Sequence, residues 1–296
     1  MHEPVLLREV ISLLSLKPGD TVLDGTAGSG GHAEAILEAV GPKGRLIGID
    51  QDKEALGRTE ERLKKYSKQL ILIHSNFSKI DEILANLKVS GVSAVLLDIG
   101  VSLEQLSDGK RGFSFRSVGP IDMRMDQSQK RSAFHLIHDL SEEELARIFR
   151  EYGEERRSLQ IARWIVDARE RQPLETTKEL AELVEKRVPA KERYGRIHPA
   201  TRIFQALRIA VNDELGVLEE ALPKALNALS PNGRLAVITF HSLEDRIVKR
   251  QFVRWKEEKI VEILTKKPMM SGDEELTKNP RSRSAKLRAV RKAEHA

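Results

Sequence analysis

The sequence predicts an α/β fold: a doubly wound, mostly parallel sheet interrupted by an inserted all-helical domain. Three observations support this. The first hundred residues alternate short apolar runs with longer amphipathic patterns, which is typical of βαβ units. From about residue 132 to 212 the pattern is helical and shows no β alternation. A buried strand pattern then returns at 234–240, so the sheet resumes after the insertion.

The order of these patterns divides the chain into three segments. The segments are a first part of the sheet domain at 1–112, an inserted helical domain at 113–213 and a second part of the sheet domain at 214–296. The strands expected in the first part lie at 21–26, 45–50, 70–75 and 94–100. In the second part a helix at 215–229 and a turn at 230–233 precede the fifth strand, and the runs 260–264 and 284–293 supply two final strands.

Composition excludes several classes of protein. The 296 residues are 40% hydrophobic, enough for a full core. The absence of cysteine removes disulfides, thiolate metal sites and cysteine nucleophiles, and we expect no metal site. No apolar run is long enough to span a bilayer and the N-terminus lacks the features of a signal peptide, so we expect a soluble cytoplasmic protein with no membrane partner.

The net charge of +5 and a pI near 9.3 are compatible with a polyanionic partner without requiring one. The residues from 279 to 292 include six Lys and Arg and no acidic residue. This segment is either a contact to nucleic acid or a solvated basic tail.

A glycine-rich turn follows the first strand. Gly28, Gly30 and Ala33 satisfy the dinucleotide fingerprint G-x-G-x-x-G/A, so the spacing alone admits both a nicotinamide cofactor and S-adenosylmethionine. Asp24 beside the turn would repel a pyrophosphate, whereas it would attract the ammonium and the sulfonium of S-adenosylmethionine. The turn therefore favours S-adenosylmethionine, and a tight turn without a ligand is the structural alternative.

Further candidate ligand-binding residues lie where the next strands end, which is where ligands bind in open α/β sheets. Asp50 is placed to accept the ribose hydroxyls of an adenosine, or to cap the following helix. Phe77 after the third strand is placed to flank an adenine, or to pack in the core. Asp98 after the fourth strand is placed to accept the N–H hydrogens of an amino group that is methylated, or to contact the cofactor's ammonium.

Several strings, spread in order along the whole chain, together resemble the MraW-type small-subunit ribosomal RNA methyltransferases, which form N4-methylcytidine. The strings are HEPVLLREV at 2–10, DGTAGSGGH at 24–32, LDIGVS at 97–102, RGFSF at 111–115, GPIDMRMD at 119–126, YGEE at 152–155, HPATR at 198–202, FQALRI at 204–209, FHSLEDRIVK at 240–249 and NPRSRS at 279–284.

This resemblance implies a class I (Rossmann-like) methyltransferase fold, S-adenosylmethionine as the cofactor and methylation of a cytidine in 16S ribosomal RNA, with the assembled small subunit as the expected partner. Carried over by position, the cofactor contacts fall on Gly30, Gly31, His32, Asp50, Phe77, Asp98 and Gln105, to which the turn adds Asp24 and Gly28. We assign substrate recognition to the helical insertion.

The base-contacting residues are hypotheses. The Asp98 motif lacks the aromatic residue that stacks on a flipped base in other amino-methyltransferases, so Phe113 or Phe115 is expected to supply it. His198, Arg202 and His241 are expected to face the substrate, although Arg202 also reads as a surface arginine. Amino-methylation of another RNA or of DNA, and a non-catalytic RNA-binding assembly factor, remain as alternatives. Oligomeric state is not predicted.

Overall fold

The computed structural model describes residues 4–193, 195 and 197–295, with no description of the side chains of Glu192 and Arg281. His2 and Glu3 of the first family-like string lie outside the described residues. The chain divides into two compact units. We call residues 1–100 with 215–296 the sheet unit, and residues 101–214 the helical unit.

The sheet unit contains one seven-stranded sheet in the order β3-β2-β1-β4-β5-β7-β6. The strands are β1 (Thr21–Asp24), β2 (Arg45–Asp50), β3 (Leu70–His74), β4 (Val92–Asp98), β5 (Leu229–Thr239), β6 (Val261–Ile263) and β7 (Lys286–Lys292). The neighbours from β3 to β5 are parallel, and β7 is antiparallel to both β5 and β6. The predicted doubly wound α/β sheet, resumed after a helical insertion, is confirmed.

Helices cover both faces of this sheet. They are α1 (Leu7–Leu14), α2 (Gly31–Val40), α3 (Lys53–Arg62), α4 (Ile80–Asn86), α12 (Glu214–Ala228), α13 (Ser242–Glu257) and α14 (Asp273–Lys278). Side chains alternate along each strand, so Val22 packs with α1 and α2 on one face while Leu23 packs with α4, α12 and α13 on the other. Both faces of the parallel strands are therefore buried.

The fifth strand begins earlier than the sequence indicates. The predicted turn at 230–233 lies inside β5, where Leu229 pairs with Val92 and Arg234 pairs with Ala94. The four residues between them bulge opposite Ser93, and Asn232 has a φ of 63°. The turn residues keep their local conformation, but the pairing on either side makes them a bulge within the strand.

The helical unit has its own core. Its helices are α5 (Leu103–Ser107), α6 (Ala133–Asp139), α7 (Glu142–Glu151), α8 (Ser158–Arg169), α9 (Thr177–Arg187), α10 (Ala190–Arg193) and α11 (Thr201–Asn212). Capping boxes begin α7, with Ser141 and Glu144, and α9, with Thr176 and Glu179. Phe149 is fully buried at the centre of the cluster that these helices form.

The helical unit also includes residues 101–112, which the sequence analysis places with the sheet. The hydrogen bonds of Arg111 explain the difference. Its carbonyl accepts from the Met123 N–H at 3.0 Å, and its guanidinium donates to the carbonyl of Met125 at 2.9 Å. The polar contacts of this segment therefore tie it to residues that follow it. No helix in the described part of the chain combines the length and the apolar character needed to cross a membrane.

Candidate active site

The glycine-rich turn connects β1 to α2 and is fixed by two hydrogen bonds. The Ala27 N–H donates to the Ile49 carbonyl at 2.9 Å, and the Thr59 hydroxyl donates to the Gly28 carbonyl at 2.6 Å. Gly28 and Gly30 have φ values of 52° and 80°, in the left-handed region that favours glycine. Gly30 precedes the first residue of α2, so the turn presents backbone N–H groups at a helix N-terminus.

Asp50 closes β2 and holds this turn from the side. Its Oδ2 accepts from the Gly28 N–H and its Oδ1 from the Asp52 N–H, both at 2.8 Å. The cap of α3 is Asp52, whose side chain accepts from Glu54 and Ala55 N–H groups, so the alternative role for Asp50 as that cap is wrong. The Gln51 backbone N–H also hydrogen-bonds this carboxylate, so about one of its four or so lone-pair sites remains for a ligand.

Asp24 lies at the end of β1 and is almost completely buried. Its Oδ1 accepts from the Thr26 N–H at 3.1 Å, while its Oδ2 is buried with no hydrogen-bond partner among the described residues. Burial, with a smaller effect from the charge of Asp50, raises the pKa of Asp24 to about 7. The pKa of Asp50 is raised to about 6, also mainly by burial.

Asp98 closes β4 next to Asp24. Its backbone N–H donates to the Thr26 hydroxyl at 2.6 Å, which fixes the strand end to the glycine turn. Burial raises its pKa to about 8, with added repulsion from Asp24 and Glu244. Its Oδ2 lies 3.6 Å from Nδ1 of His32, and its Oδ1 has no hydrogen-bond partner among the described residues.

Three carboxyl groups thus meet at the carboxyl ends of adjacent parallel strands, where the sequence places them. No Lys or Arg of the described residues pairs with Asp24, Asp50 or Asp98. Native proteins rarely leave buried polar atoms without partners, and two such oxygens occur here. This arrangement suits a ligand that brings positive charge and hydroxyl groups.

Phe77 packs beneath the glycine turn. Its side chain is 9% exposed and belongs to the core of one sheet face. A Cβ added to Gly25 would lie 3.1 Å from Cβ of Phe77 and 2.5 Å from the Leu97 side chain, so Gly25 permits the close approach. Phe77 therefore has a packing role, and its contact to an adenine stays a prediction.

The remaining cofactor residue of the sequence analysis, Gln105, lies in the helical unit. Its Oε1 accepts from the Ser102 N–H at 3.0 Å, and its own N–H donates to the Ser102 hydroxyl at 3.1 Å. This capping box begins α5 and leaves Gln105 only 7% exposed. The structure gives Gln105 a role in the helix cap, and its cofactor contact stays a prediction.

Two of the candidate base-contacting residues meet in the helical unit. The Phe115 ring lies 4.5 Å from the His198 ring and 5.1 Å from the Phe204 ring, and it is partly exposed. Phe113 is instead 6% exposed and belongs to the core of the unit. Arg202 is 44% exposed on its side chain and lies 3.7 Å from Glu155.

His241 in the sheet unit has a local structural role. Its Nδ1 accepts from the Glu244 N–H at the start of α13, although the 3.5 Å distance is long. Glu244 Oε2 accepts in return from the N–H groups of Phe240 and His241. The sequence analysis missed Glu244, which is fully buried and raises the pKa of Asp98. The three-residue capping-box spacing was the signal for it.

Thr26 is a second residue that the sequence analysis missed. It donates to Asp24 and accepts from the Asp98 N–H, so it joins two of the three carboxyl-bearing strand ends. A threonine within a glycine-rich turn carries no distinctive sequence signal.

Comparison with known proteins identifies a family whose profile matches nearly the whole chain. The sequence profile described as the MraW methylase family matches residues 1–293. Proteins named ribosomal RNA small subunit methyltransferase H are 47% identical in Symbiobacterium thermophilum, over 98% of this chain and 96% of that protein, and 50% identical in Nostoc sp., over 98% and 92%. A solved structure of a putative methyltransferase from Streptococcus mutans in complex with SAH aligns over 99% of both chains at 13% identity, with a TM-score of 0.45.

Proposed function

The chain belongs to the MraW methylase family, and we propose that it transfers a methyl group from S-adenosylmethionine to N4 of a cytidine in 16S ribosomal RNA, within the small ribosomal subunit. The observation that carries the proposal is the group of three carboxyls, the buried Asp24 and the partly buried Asp50 and Asp98, with two unpartnered buried oxygens. The names of the relatives supply the class of RNA.

The residues present fit this cofactor. The buried oxygen of Asp24 suits the ammonium of the methionine portion, because an opposite charge would offset the cost of its burial. The carboxylate of Asp50, at the end of β2, is placed to accept a ribose hydroxyl through its remaining lone pair. The turn at Gly28, Gly30 and Gly31 brings backbone close to the ligand without side-chain obstruction. We assign further cofactor contacts to His32, Phe77, Asp98 and Gln105.

S-adenosylmethionine supplies a methyl group on a positively charged sulfur. The nitrogen lone pair of the cytidine N4 amino group would take this methyl group, and the electrons of the broken C–S bond would remain with sulfur. The amino nitrogen then carries a positive charge and loses one proton. Asp98, ionised beside a cationic ligand, accepts the N–H hydrogen bonds that orient this amino group. The final proton acceptor is Asp98 or water.

The carboxyl cluster disfavours a dinucleotide cofactor at the same turn. A pyrophosphate at the N-terminus of α2 would lie beside Asp24, whose ionised form would repel it. A cationic cofactor removes this conflict. Amino-methylation of another RNA or of DNA uses the same chemistry, and only the acceptor separates it from our proposal.

The test is methyl incorporation from labelled S-adenosylmethionine into unmodified small subunits, free 16S ribosomal RNA and DNA, followed by nucleoside analysis. We expect N4-methylcytidine in the subunits, and the free RNA shows whether the assembled particle is required. Label in DNA alone, or in a different nucleoside, would contradict the proposal. Cofactor binding without transfer to any acceptor would indicate a non-catalytic assembly factor.

Two variants connect the activity to the site. Asp98→Asn keeps the size of the side chain but removes its charge, and we expect a loss of about a hundredfold or more in kcat. Glu60→Gln makes a comparable charge change on an exposed position of α3 and should retain full activity. Equal rates for both variants would exclude Asp98 from catalysis.

A further inference from the structure

The basic segment at 279–292 is not a free tail. It includes strand β7, and three of its cations form ion pairs: Lys286 and Arg288 with Asp245, and Arg291 with Glu262. The Lys292 ammonium donates to the Leu229 carbonyl at 2.8 Å. Of the five cations in this segment whose side chains the structure describes, four are therefore engaged within the protein.

Unpaired cations lie beside it instead, in a groove between α13 and β6. Its floor is apolar and includes Phe252, Val261 and Ile263. Three exposed lysines, Lys249, Lys256 and Lys266, line it. Within the described part of the chain these three ammonium groups form no ion pair. We call this surface the lysine groove.

The lysine groove has a helical and a strand side. Lys249 and Lys256 are seven residues apart, so they project from the same face of α13, about 10 Å apart along its axis. Val253 lies between them and is 39% exposed. Lys266 follows β6 and lines the groove from the other side.

The chain segment that supplies the three groove lysines is rich in positive charge. The stretch from 246 to 267 contains eight Lys and Arg and three Glu, a net charge of five, which equals the formal net charge of the whole chain. The rest of the protein is therefore close to neutral in sum. Such a concentration of positive charge attracts a polyanion.

We propose that the lysine groove binds the phosphate backbone of the ribosomal RNA, away from the base that is methylated; this rests on the proposed function. Lysines act as point charges for phosphate. The other polar side chains that line the groove, Arg288, Glu262 and Thr265, already have partners within the protein and are not available to read base edges. The contact is thus independent of sequence. An added peptide strand fits less well, because the edge strand β6 has three residues and lysines beside it.

The test is binding of unmodified small subunits and of free 16S ribosomal RNA over a series of salt concentrations, with the triple variant Lys249→Gln, Lys256→Gln, Lys266→Gln. The slope of log K against log salt is negative, and each lost phosphate contact reduces its magnitude by about 0.7 to 0.9. We expect the magnitude of the slope to decrease by about two to three for both the subunits and the free RNA. In methylation assays, KM for the subunit should rise about tenfold with kcat unchanged.

The matched control is Lys17→Gln, Lys43→Gln, Lys68→Gln, which removes three exposed lysines elsewhere on the same unit and should change binding little. Replacing the groove lysines by Arg should restore binding, which separates lost charge from misfolding. Equal slopes for wild type and the groove variant would overturn the inference while leaving the methyltransferase activity intact. A loss confined to assembled subunits would overturn it in favour of an acidic protein partner.

Discussion

Nδ1 of His32 lies 3.6 Å from Oδ2 of Asp98, while Nε2 of the same ring lies 3.0 Å from the carbonyl of Val5. A backbone carbonyl only accepts, so Nε2 carries a hydrogen and donates it. In the neutral ring, Nδ1 is then the bare nitrogen that faces Asp98. Because the pKa of Asp98 is raised to about 8, its carboxyl holds a proton at neutral pH when no ligand is present.

This arrangement predicts how the stability of the ligand-free protein depends on pH. The pKa of Asp98 is higher in the folded protein than in the unfolded chain, so its contribution is fully present below about pH 4 and is lost as the pH rises through about 8. Asp24 and Asp50, with raised values of about 7 and 6, act in the same direction. In thermal unfolding without cofactor, ionisation of these three groups should lower the melting temperature as the pH rises from 5 to 9.

Asp98→Asn isolates the contribution of one of these groups. The variant should melt several degrees above the wild type at pH 9 and should approach it near pH 4, because the buried charge is absent at every pH. Glu60→Gln at an exposed site should follow the wild-type curve. A wild-type advantage that grows with pH would contradict the assigned direction.

Cofactor affinity should also depend on pH. A cationic ligand prefers the ionised forms of Asp24 and Asp98, and protons compete with it below pH values of about 7 and 8. Binding of S-adenosylmethionine, measured by calorimetry, should weaken by about tenfold or more from pH 8 to pH 6. 5′-Methylthioadenosine, which lacks both the ammonium and the sulfonium, serves as the control and should bind with little pH dependence. If the affinities of the two ligands changed equally with pH, the carboxyl cluster would be excluded as the site that binds the cationic groups.

Much of this cluster follows from the sequence because strand ends are local features. Asp24, Asp50 and Asp98 each close an apolar run, and parallel strands bring their carboxyl ends to one edge of the sheet. The sheet, its interruption and the glycine turn follow from the same periodicities. The predicted family membership rests on strings that span the chain, and the comparisons confirm it.

Other features depend on distant contacts that no local pattern encodes. The approach of His32 to Asp98 and the effect of Glu244 on Asp98 join residues far apart in sequence. Asp50 and Asp52 are equivalent as cap candidates by residue type, and only the backbone direction at the end of β2 assigns the cap to Asp52. The pairing of the basic residues in β7 likewise depends on α13 and β6.

Gly31 offers a test of the packing around the glycine turn. A Cβ at this position would lie 2.4 Å from Cγ of Pro4, so Gly31→Ala must displace the segment whose Val5 carbonyl accepts from His32. We expect a decrease of about 1–3 kcal/mol in the free energy of unfolding, together with weaker cofactor binding. Gly57→Ala is the matched control in α3, where an added Cβ meets no atom within 4 Å, and it should stabilise the protein by about 0.5–1 kcal/mol. If Gly31→Ala left the free energy of unfolding in urea unchanged, the segment at Pro4 would be shown to move aside without loss of stability.

Phe113 and Phe115 are two residues apart, and their burial predicts opposite phenotypes. Phe113 is 6% exposed in the core of the helical unit, so Phe113→Ala should cost about 3–5 kcal/mol of unfolding free energy. Phe115 is partly exposed beside His198, so Phe115→Ala should cost about 1 kcal/mol. If Phe115 stacks on the cytidine, its removal should lower kcat/KM for the subunit by about tenfold to a hundredfold.

Two measurements decide whether Phe115 acts on the substrate. Cofactor affinity should be unchanged in Phe115→Ala, since the ring contacts of Phe115 are to His198 and Phe204, which are not among the assigned cofactor residues. Phe115→Trp keeps an aromatic face and should retain most of the activity, because stacking requires a ring and not a particular polar group. Full activity in Phe115→Ala at saturating cofactor would assign the Phe115–His198 contact to the packing of the helical unit alone, and the base would need another aromatic or apolar partner.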